Sequence, residues 1–164
     1  MAEWLEVARK SSVLAVDTET NSLNTMTADL VGISLAYKDH HGCYIPIKHT
    51  QEITQAGFDF GGDQKDQGQK IEQIPLEDVK ALLQPLLEDS AILKVGQNIK
   101  FDLHVLENHG FNVNPISDTM LLSYLADGDQ HGHGMDELAE LHLGETPIKF
   151  TDIVGKGKSA KTFD

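Results

Sequence analysis

Val13-Leu-Ala-Val-Asp-Thr-Glu-Thr20 is the segment from which the architecture of this chain can be predicted. Its first four residues form a continuous apolar run, which is typical of a strand buried on both faces of a sheet. In an extended chain residues i and i+2 face the same side, so Asp17 and Glu19 converge on one point. Two carboxylates held that close repel each other unless a divalent cation lies between them. The segment therefore predicts a buried strand that ends in a metal site, with a solvated turn as the alternative.

A second acidic segment, Val95-Gly-Gln-Asn-Ile-Lys-Phe-Asp102, follows another short apolar run. The pattern predicts a strand over 91–95 that turns through glycine into a helix over 98–109. Asn98 and Asp102 are four residues apart on that helix and share a face. A purely structural interpretation makes Asn98 the helix N-cap and Asp102 a first-turn acid near the positive end of the helix dipole. Both acidic segments nevertheless follow apolar strands, where α/β sheets place their functional sites.

The rest of the chain completes one predicted domain. A polar, glycine-rich segment from about Lys48 to Gln73 predicts a surface loop. Pro46 favours an edge strand or a strand end. Strands that alternate with helices predict the α/β class, with a mixed β-sheet flanked by α-helices. The other predicted elements are a helix over 3–10, strands over 30–37 and 42–47 that form a hairpin, and helices over 75–87, 120–126 and 135–143.

Composition and charge narrow the class of protein. A formal net charge of −13 over 164 residues argues against a domain that grips nucleic acid through a broad basic surface. Carboxylates can instead hold divalent cations, which then meet the phosphate. The single cysteine, Cys43, excludes a disulfide framework and lies in an apolar segment, which predicts a buried thiol. Because the sequence shows no signal peptide and no run of roughly 20 apolar residues, we expect a soluble, cytoplasmic protein.

Four motifs together resemble one family of nucleases. They are V-D-T-E-T-N-S-L over 16–23, K-V-G-Q-N-I-K-F-D over 94–102, D-T-M-L over 118–121 and G-K-G-K over 155–158. In this order and spacing they are similar to the proofreading 3′-5′ exonuclease domain of bacterial DNA polymerase I, a member of the DEDD exonucleases. The resemblance runs from about Trp4 to Phe163. It implies an RNase H-like fold and the removal of nucleotides from a DNA 3′ end.

The resemblance also implies a two-metal site. Asp17 and Glu19 match the metal ligands of the family's first motif, and Asp102 matches the carboxylate of the second. The implied cofactors are two divalent cations, Mg²⁺ or Mn²⁺, with Zn²⁺ as an alternative. Such a pair generates a hydroxide and stabilises charge on the attacking and leaving oxygens, so no nucleophilic side chain is needed.

Five further residues match positions that contact the DNA strand in the family. Thr20 and Leu23 match contacts to the terminal nucleotide, with Leu23 as an apolar wedge against a base. Gln97 and Asn98 match polar contacts near the strand, and Phe150 matches an aromatic residue that stacks on a base. Core packing is the alternative for Leu23 and Phe150. The implied partner is a single-stranded or frayed DNA 3′ end, held mainly by stacking and apolar contacts.

The family's third motif, a tyrosine followed four residues later by an aspartate, is not reached before Asp164. We therefore expect residues 1–164 to be an exonuclease domain that lacks its C-terminal helix and third motif, from a chain that also carries a polymerase domain. A lost metal ligand predicts impaired hydrolysis, and an uncovered sheet predicts self-association. His131 and Asp136 have the spacing of a sister branch, but they follow Asp102 too soon. Asp136 fits the first turn of the last helix better, and the eight histidines show no metal-site spacing on a helix face.

Two other functions stay open at this point. One is a non-catalytic, exonuclease-like module that supports a polymerase, although such modules typically lose the acidic residues that persist here. The other is an RNA 3′-5′ exonuclease related to RNase D, which shares the acidic motifs. The D-T-M-L and G-K-G-K segments favour the polymerase type, and assays with DNA and RNA ends would separate the two.

Overall fold

The computed structural model of the protein describes residues 1–49, 73–149 and 152. Within them the helices and strands alternate much as predicted, and the helices expected over 75–87, 120–126 and 135–143 are confirmed to within one residue at each end. The elements are α1 (Ala2–Ala8), β1 (Val13–Thr20), β2 (Leu30–Ala36), β3 (Gly42–Pro46), α2 (Leu76–Leu87), β4 (Leu93–Gly96), α3 (Lys100–Asn108), β5 (Ile116–Asp118), α4 (Thr119–Asp127) and α5 (Met135–Leu143).

The strands form one mixed sheet in the order β3-β2-β1-β4-β5, which confirms the predicted α/β class. β1 is central and extends beyond its apolar run, through Asp17 and Glu19, to Thr20. It pairs antiparallel with β2 along most of its length, where Glu19 lies opposite Gly32. It pairs parallel with β4 over Val13–Ala15 alone. The second half of β1 therefore outruns β4 and has a strand neighbour on one side.

The expectation that β1 is buried on both faces is wrong. Leu14, Val16 and Thr18 are buried, whereas Val13 and Ala15 are exposed. Helices α1, α2 and α3 cover the first face, and their apolar side chains form the core with those of the sheet. The second face borders an open cavity of about 1,030 Å³ between the sheet and helices α4 and α5, and neither of these helices contains a buried residue. Because one face packs and the other is open, exposure alternates along the strand.

The predicted hairpin is confirmed as β2 and β3, with β3 at the edge of the sheet and Pro46 as its last residue. Cys43, predicted to be buried, is half-buried, because it lies on this edge strand and borders the cavity. Most of the segment predicted as a surface loop, residues 50–72, lies outside the described residues. No helix in the described part of the chain is long and apolar enough to cross a membrane.

Candidate active site

Three carboxylates meet where β1 outruns β4. Asp17 and Glu19 lie two residues apart on β1, and Asp17 borders the open cavity. Asp102 comes from the first turn of α3, which packs against β1, and is 3% exposed. The structure therefore brings together side chains that are more than 80 residues apart along the chain, as in the hydrogen bonds between Thr18 and Asp102.

Thr18, between the two acidic residues of β1, holds Asp102 in place. Its backbone N–H donates to Asp102 Oδ1 at 2.9 Å, and its hydroxyl donates to the same oxygen at 2.6 Å. The N–H is available because β4 does not pair with this part of β1. This role of Thr18 is not evident from the sequence motif, although a hydroxyl residue on the buried face of a strand is a signal that a polar partner lies opposite.

The electrostatics of the site favour a cation. Burial, and then the negative charge of Asp102, raise the pKa of Asp17 to about 6. Although water reaches the carboxyl of Asp17, the surrounding sheet displaces part of its hydration. Burial and then the charges of Asp17 and Asp102 also raise the pKa of Glu19. Burial raises the pKa of Asp102 as well, and the two hydrogen bonds from Thr18 oppose that rise.

No ion pair within the described residues relieves this repulsion, since the ones found there involve other acids. The three side chains offer carboxylate oxygens alone, which are the ligands that Mg²⁺ and Mn²⁺ prefer. The residues present therefore fit a hard divalent cation. Elsewhere in the described residues, one ligand atom from each of Asp127, His131 and His142 lies within 4.8 Å of the other two.

Thr20 and Leu23, at and just beyond the end of β1, take contrasting positions. The Thr20 hydroxyl donates to the carbonyl of Ser22 at 2.9 Å, which fixes the turn out of the strand. Leu23 is 92% exposed and projects into solvent. Core packing is therefore excluded for Leu23, and its position leaves it free to meet a ligand. Phe150, the other predicted apolar contact, lies outside the described residues.

The segment before α3 differs from the predicted helix. Asn98 has φ 53°, in the left-handed region, and α3 begins two residues later at Lys100. Asn98 is therefore not the helix N-cap, and it does not share a helix face with Asp102. Its side chain is exposed. Gln97 instead turns inward, where its amide donates to the carbonyl of His133 at 2.6 Å and accepts from the Thr119 hydroxyl at 2.6 Å.

Asp118 is a further residue whose role the sequence analysis missed. Its carboxylate accepts hydrogen bonds from the backbone N–H groups of Asn98 and Ile99, each at 3.1 Å. It also caps α4, accepting from Met120 N–H at 2.9 Å and Leu121 N–H at 3.3 Å. One side chain thus fixes both the turn that leads to Asp102 and the start of α4. The signal was an aspartate directly before a predicted helix, a preferred N-cap.

Tyr44, on the edge strand β3, lies beside Glu19. Burial, and then the charge of Glu19, raise the pKa of Tyr44 to about 12. Its hydroxyl is 2.6 Å from His49 Nε2. A Cβ added at Gly32, which lies opposite Glu19, would overlap the Tyr44 ring. Gly32 thus makes room for a tyrosine next to the acidic site, and neither residue was singled out from the sequence.

Comparison with known proteins identifies the family. A model of the 3′-5′ exonuclease family matches residues 1–163. DNA polymerase I of Rhizobium leguminosarum is 40% identical over 170 residues, a match that covers 98% of this chain and 16% of that protein. DNA polymerase I of Pseudomonas aeruginosa is 37% identical over 98% of this chain and 16% of its own length. The chain thus spans about a sixth of the length of these relatives.

Solved structures show the same fold at lower identity. Escherichia coli RNase D has a TM-score of 0.60 at 22% identity, covering 92% of this chain and 33% of its own. Brucella melitensis NrnC with bound Mg²⁺ has a TM-score of 0.58 at 21% identity, over 93% of this chain and 68% of its own. The Pol1 structure from M. smegmatis with DNA primer-template and dNTP has a TM-score of 0.64 at 22% identity, over 90% and 22%. These likenesses confirm the RNase H-like fold, and with the family match over nearly its whole length the chain belongs to the 3′-5′ exonuclease family.

Proposed function

We propose that this chain is the 3′-5′ exonuclease domain of a DNA polymerase I, and that it removes nucleotides from DNA 3′ ends with two divalent cations. Residues 1–164 would form that single domain. The observation that carries the proposal is the clustering of Asp17, Glu19 and Asp102 without a basic partner in the described residues. Burial raises the pKa of each, and the charge of Asp102 further raises the pKa values of Asp17 and Glu19. Three repelling carboxylates are unfavourable unless a cation binds them.

The three acids approach the proposed metal site from two sides of the sheet. Asp17 and Glu19 offer oxygens from the open side of the sheet, where a DNA end can enter. Asp102 offers its oxygen from the core side, and Thr18 fixes the orientation of its carboxylate. Together the three acids would hold two cations, Mg²⁺ or Mn²⁺, which would supply a hydroxide and stabilise charge on the attacking and leaving oxygens. NrnC with bound Mg²⁺, a protein of the same fold, supports the choice of cation.

The DNA end would lie along the turn that follows β1. Leu23, fully projecting from that turn, is suited to stack on a base of the terminal nucleotide, and Thr20 fixes the turn that presents it. Asn98 is exposed beside the site and is suited to a polar contact with the strand. Phe150 is proposed to stack on a base. Gln97 is already bonded to two protein groups, so we assign it to holding the α4–α5 connection against the site.

Binding of DNA by this domain alone should be weak. The net charge of −13 repels a phosphate backbone, so the polymerase domain of a longer chain would deliver the strand. Catalysis should also be weak in this chain alone, because the described residues bring three carboxylates to a site that has to hold two cations.

An RNA substrate is the second candidate, and the likeness to Escherichia coli RNase D supports it at the level of the fold. The DNA assignment is preferred because the relatives at 40% and 37% identity are DNA polymerases. A non-catalytic module is disfavoured by the presence of all three carboxylates around one strand end.

We also propose that the isolated chain associates with itself through the apolar surface of α4 and α5, beside the open face of its sheet. Helices α4 and α5 expose large apolar side chains next to the cavity, and such surface tends to be covered by another chain. The residues concerned are Leu121, Leu122, Tyr124, Leu125, Met135, Leu141 and Leu143. Sedimentation at increasing concentration should show a dimer that Leu125→Lys weakens. A monomer at every concentration would contradict this.

The experiment that tests the function is release of mononucleotides from 3′-labelled single-stranded DNA and RNA of one sequence, with Mg²⁺ or Mn²⁺. We expect slow, metal-dependent release from DNA that Asp17→Asn abolishes. Asp39→Asn is the matched control, because Asp39 is an exposed acid on the β2–β3 turn. Release that survives Asp17→Asn, or release from RNA in preference to DNA, would overturn the assignment.

A further inference from the structure

Two histidines and one aspartate lie close together in the region formed by α4, α5 and their connection. Asp127 is the last residue of α4, His131 follows in the connection, and His142 lies in the last turn of α5. Their ligand atoms all lie within 4.8 Å of one another. His131 Nε2 is 3.3 Å from Asp127 Oδ2. Asp127 and His142 border the same cavity as Asp17. The group shares no residue with Asp17, Glu19 and Asp102, however, and the proposed exonuclease chemistry does not use it.

The hydrogen bonds of His131 present the right atom to a metal. Its Nδ1 is 2.6 Å from the carbonyl of Gly132, so this nitrogen carries the proton. In the neutral ring the lone pair is then on Nε2, which lies 3.3 Å from Asp127 Oδ2. A backbone carbonyl that accepts from the second ring nitrogen is the usual support of a metal-binding histidine.

His133, the neighbouring histidine, is not a ligand. Its Nε2 bonds to the carbonyl of Gly128 at 2.7 Å, and its Nδ1 bonds to the hydroxyl of Ser123 at 2.8 Å. Both ring nitrogens are therefore occupied. His133 instead holds the connection in a conformation that brings His131, whose ring centroid lies 5.1 Å away, toward α5.

We propose that Asp127, His131 and His142 form a second metal site that binds Zn²⁺, with water as the fourth ligand. Two imidazoles and one carboxylate are a typical set for zinc and a poor one for Mg²⁺, which prefers oxygen. In a tetrahedral site with bonds of about 2.0–2.1 Å, ligand atoms lie about 3.3 Å apart. The pair formed by His131 and Asp127 already has this spacing. His142, on the exposed side of the group, has to move closer by a side-chain adjustment.

The site would act as a clamp on a weakly packed part of the molecule. Helices α4 and α5 contain no buried residue, so few apolar contacts hold them together. A cation bound by the end of α4 and the last turn of α5 would join the two helices across their connection. Because it would bind the folded state and much less the unfolded chain, Zn²⁺ would raise the melting temperature.

Calorimetric titration of the whole chain with ZnCl₂ tests the proposal. It is done with and without excess Mg²⁺, which is added to occupy Asp17, Glu19 and Asp102. We expect one Zn²⁺ event that persists in excess Mg²⁺ and in Asp17→Asn. His142→Gln should weaken Zn²⁺ binding by about 10- to 100-fold or more. Removal of a residue that only supports a ligand already causes a loss of that size, and His142 is itself a proposed ligand. His104→Gln is the matched control, because His104 is an exposed histidine on α3.

A second measurement makes the outcome independent of the calorimetric fit. Zn²⁺ should raise the melting temperature of the wild type and of His104→Gln, but not that of His142→Gln. Unchanged circular dichroism of His142→Gln would show that the variant is folded. The proposal is overturned if, in excess Mg²⁺, His142→Gln binds Zn²⁺ as tightly as the wild type, if the binding disappears in Asp17→Asn, or if the wild type binds no Zn²⁺.

Discussion

Thr18 bonds Asp102 twice through one oxygen: its N–H donates to Oδ1 at 2.9 Å and its hydroxyl donates to the same atom at 2.6 Å. The two residues belong to β1 and α3, so these bonds join the central strand to the helix that carries the third carboxylate. When the buried carboxyl of Asp102 is ionised, both bonds are charge-assisted and stronger than those between neutral partners.

Replacement of Thr18 by valine should therefore destabilise the protein. Valine keeps the shape of the side chain but removes the hydroxyl, so a buried carboxylate loses a donor, at a cost of about 1–3 kcal/mol in the free energy of unfolding. Urea denaturation measures this as a lower midpoint at constant slope. Thr18→Ser should retain most of the stability, and the exposed Thr27→Val is the control. Equal midpoints for Thr18→Val and wild type would disprove the role of the hydroxyl.

The carboxyl of Asp17 should titrate near pH 6 in metal-free protein, well above its ordinary value of about 3.9. A raised pKa means that the folded state binds the proton more tightly than the unfolded state. The resulting contribution to stability is present below pH 4 and is lost as the pH rises through 6. NMR of the side-chain carboxyl carbons would follow the titration directly.

Addition of Mg²⁺ should lower this pKa, because the cation favours the ionised form. In stability measurements, Asp17→Asn should flatten the pH dependence between pH 4 and 7, whereas Asp39→Asn should leave it unchanged. An Asp17 carboxyl that titrates below pH 4.5 without metal would show that burial and the charge of Asp102 do not raise its pKa as the structure implies.

Gly32→Ala should distort the edge of the sheet next to the site. The added methyl would overlap the ring and hydroxyl of Tyr44, so the tyrosine has to leave its place beside Glu19. We expect a loss of about 1–3 kcal/mol in the free energy of unfolding, as for other overpacked positions. Gly42→Ala is the matched control, since its Cβ would meet its nearest neighbour at an ordinary 3.5 Å.

The double variant Gly32→Ala, Tyr44→Ala tests the cause of that loss. Removal of the tyrosine ring should make the alanine at position 32 nearly neutral, which a thermodynamic cycle measures as a coupling between the two sites. Additive effects of the two substitutions would mean that the clash with Tyr44 is not what excludes a side chain at position 32.

Asp118→Ala should destabilise both the turn at Asn98 and Ile99 and the start of α4. The loss of a helix cap costs about 1–2 kcal/mol, and here the N–H groups of Asn98 and Ile99 lose their acceptor as well. Amide exchange should accelerate at 98–99 and 120–121 in the same variant. Asp136→Ala, in the first turn of α5, is a control for a generic acid near a helix start. Faster exchange at only one of the two segments would contradict a shared anchor.

The sequence was sufficient to predict the mixed sheet, the hairpin and the meeting of Asp17 with Asp102, because these follow from local apolar runs and from the place where strands end. It was insufficient for features that depend on neighbours distant in the chain. The exposure of Val13 and Ala15 depends on what covers the second face of the sheet, and a continuous apolar run carries no information about that. The left-handed backbone of Asn98 is set by Asp118, 20 residues later.

The group formed by Asp127, His131 and His142 was missed for a related reason. The spacing between its last two members, on either side of a turn and a helix, matches no periodic pattern, so only the folded connection reveals it. Thr18 carries no charge, so the acidic residues on either side of it give the stronger sequence signal. In both cases polar residues interact with partners that cannot be identified from the sequence alone.

The early end of β4 has a consequence for solubility. A strand that extends past its neighbour displays backbone donors and acceptors, and such a free edge is a template for adding a strand from another molecule. On β1 the unpaired edge lies beyond the end of β4, in the middle of the sheet. There the Asp102 carboxylate already accepts the hydrogen bond of the Thr18 N–H, which an added strand would need. A buried carboxylate also deters any apolar strand from approaching. We therefore expect Asp102, proposed above as a metal ligand, also to protect the central strand of the fold against strand addition.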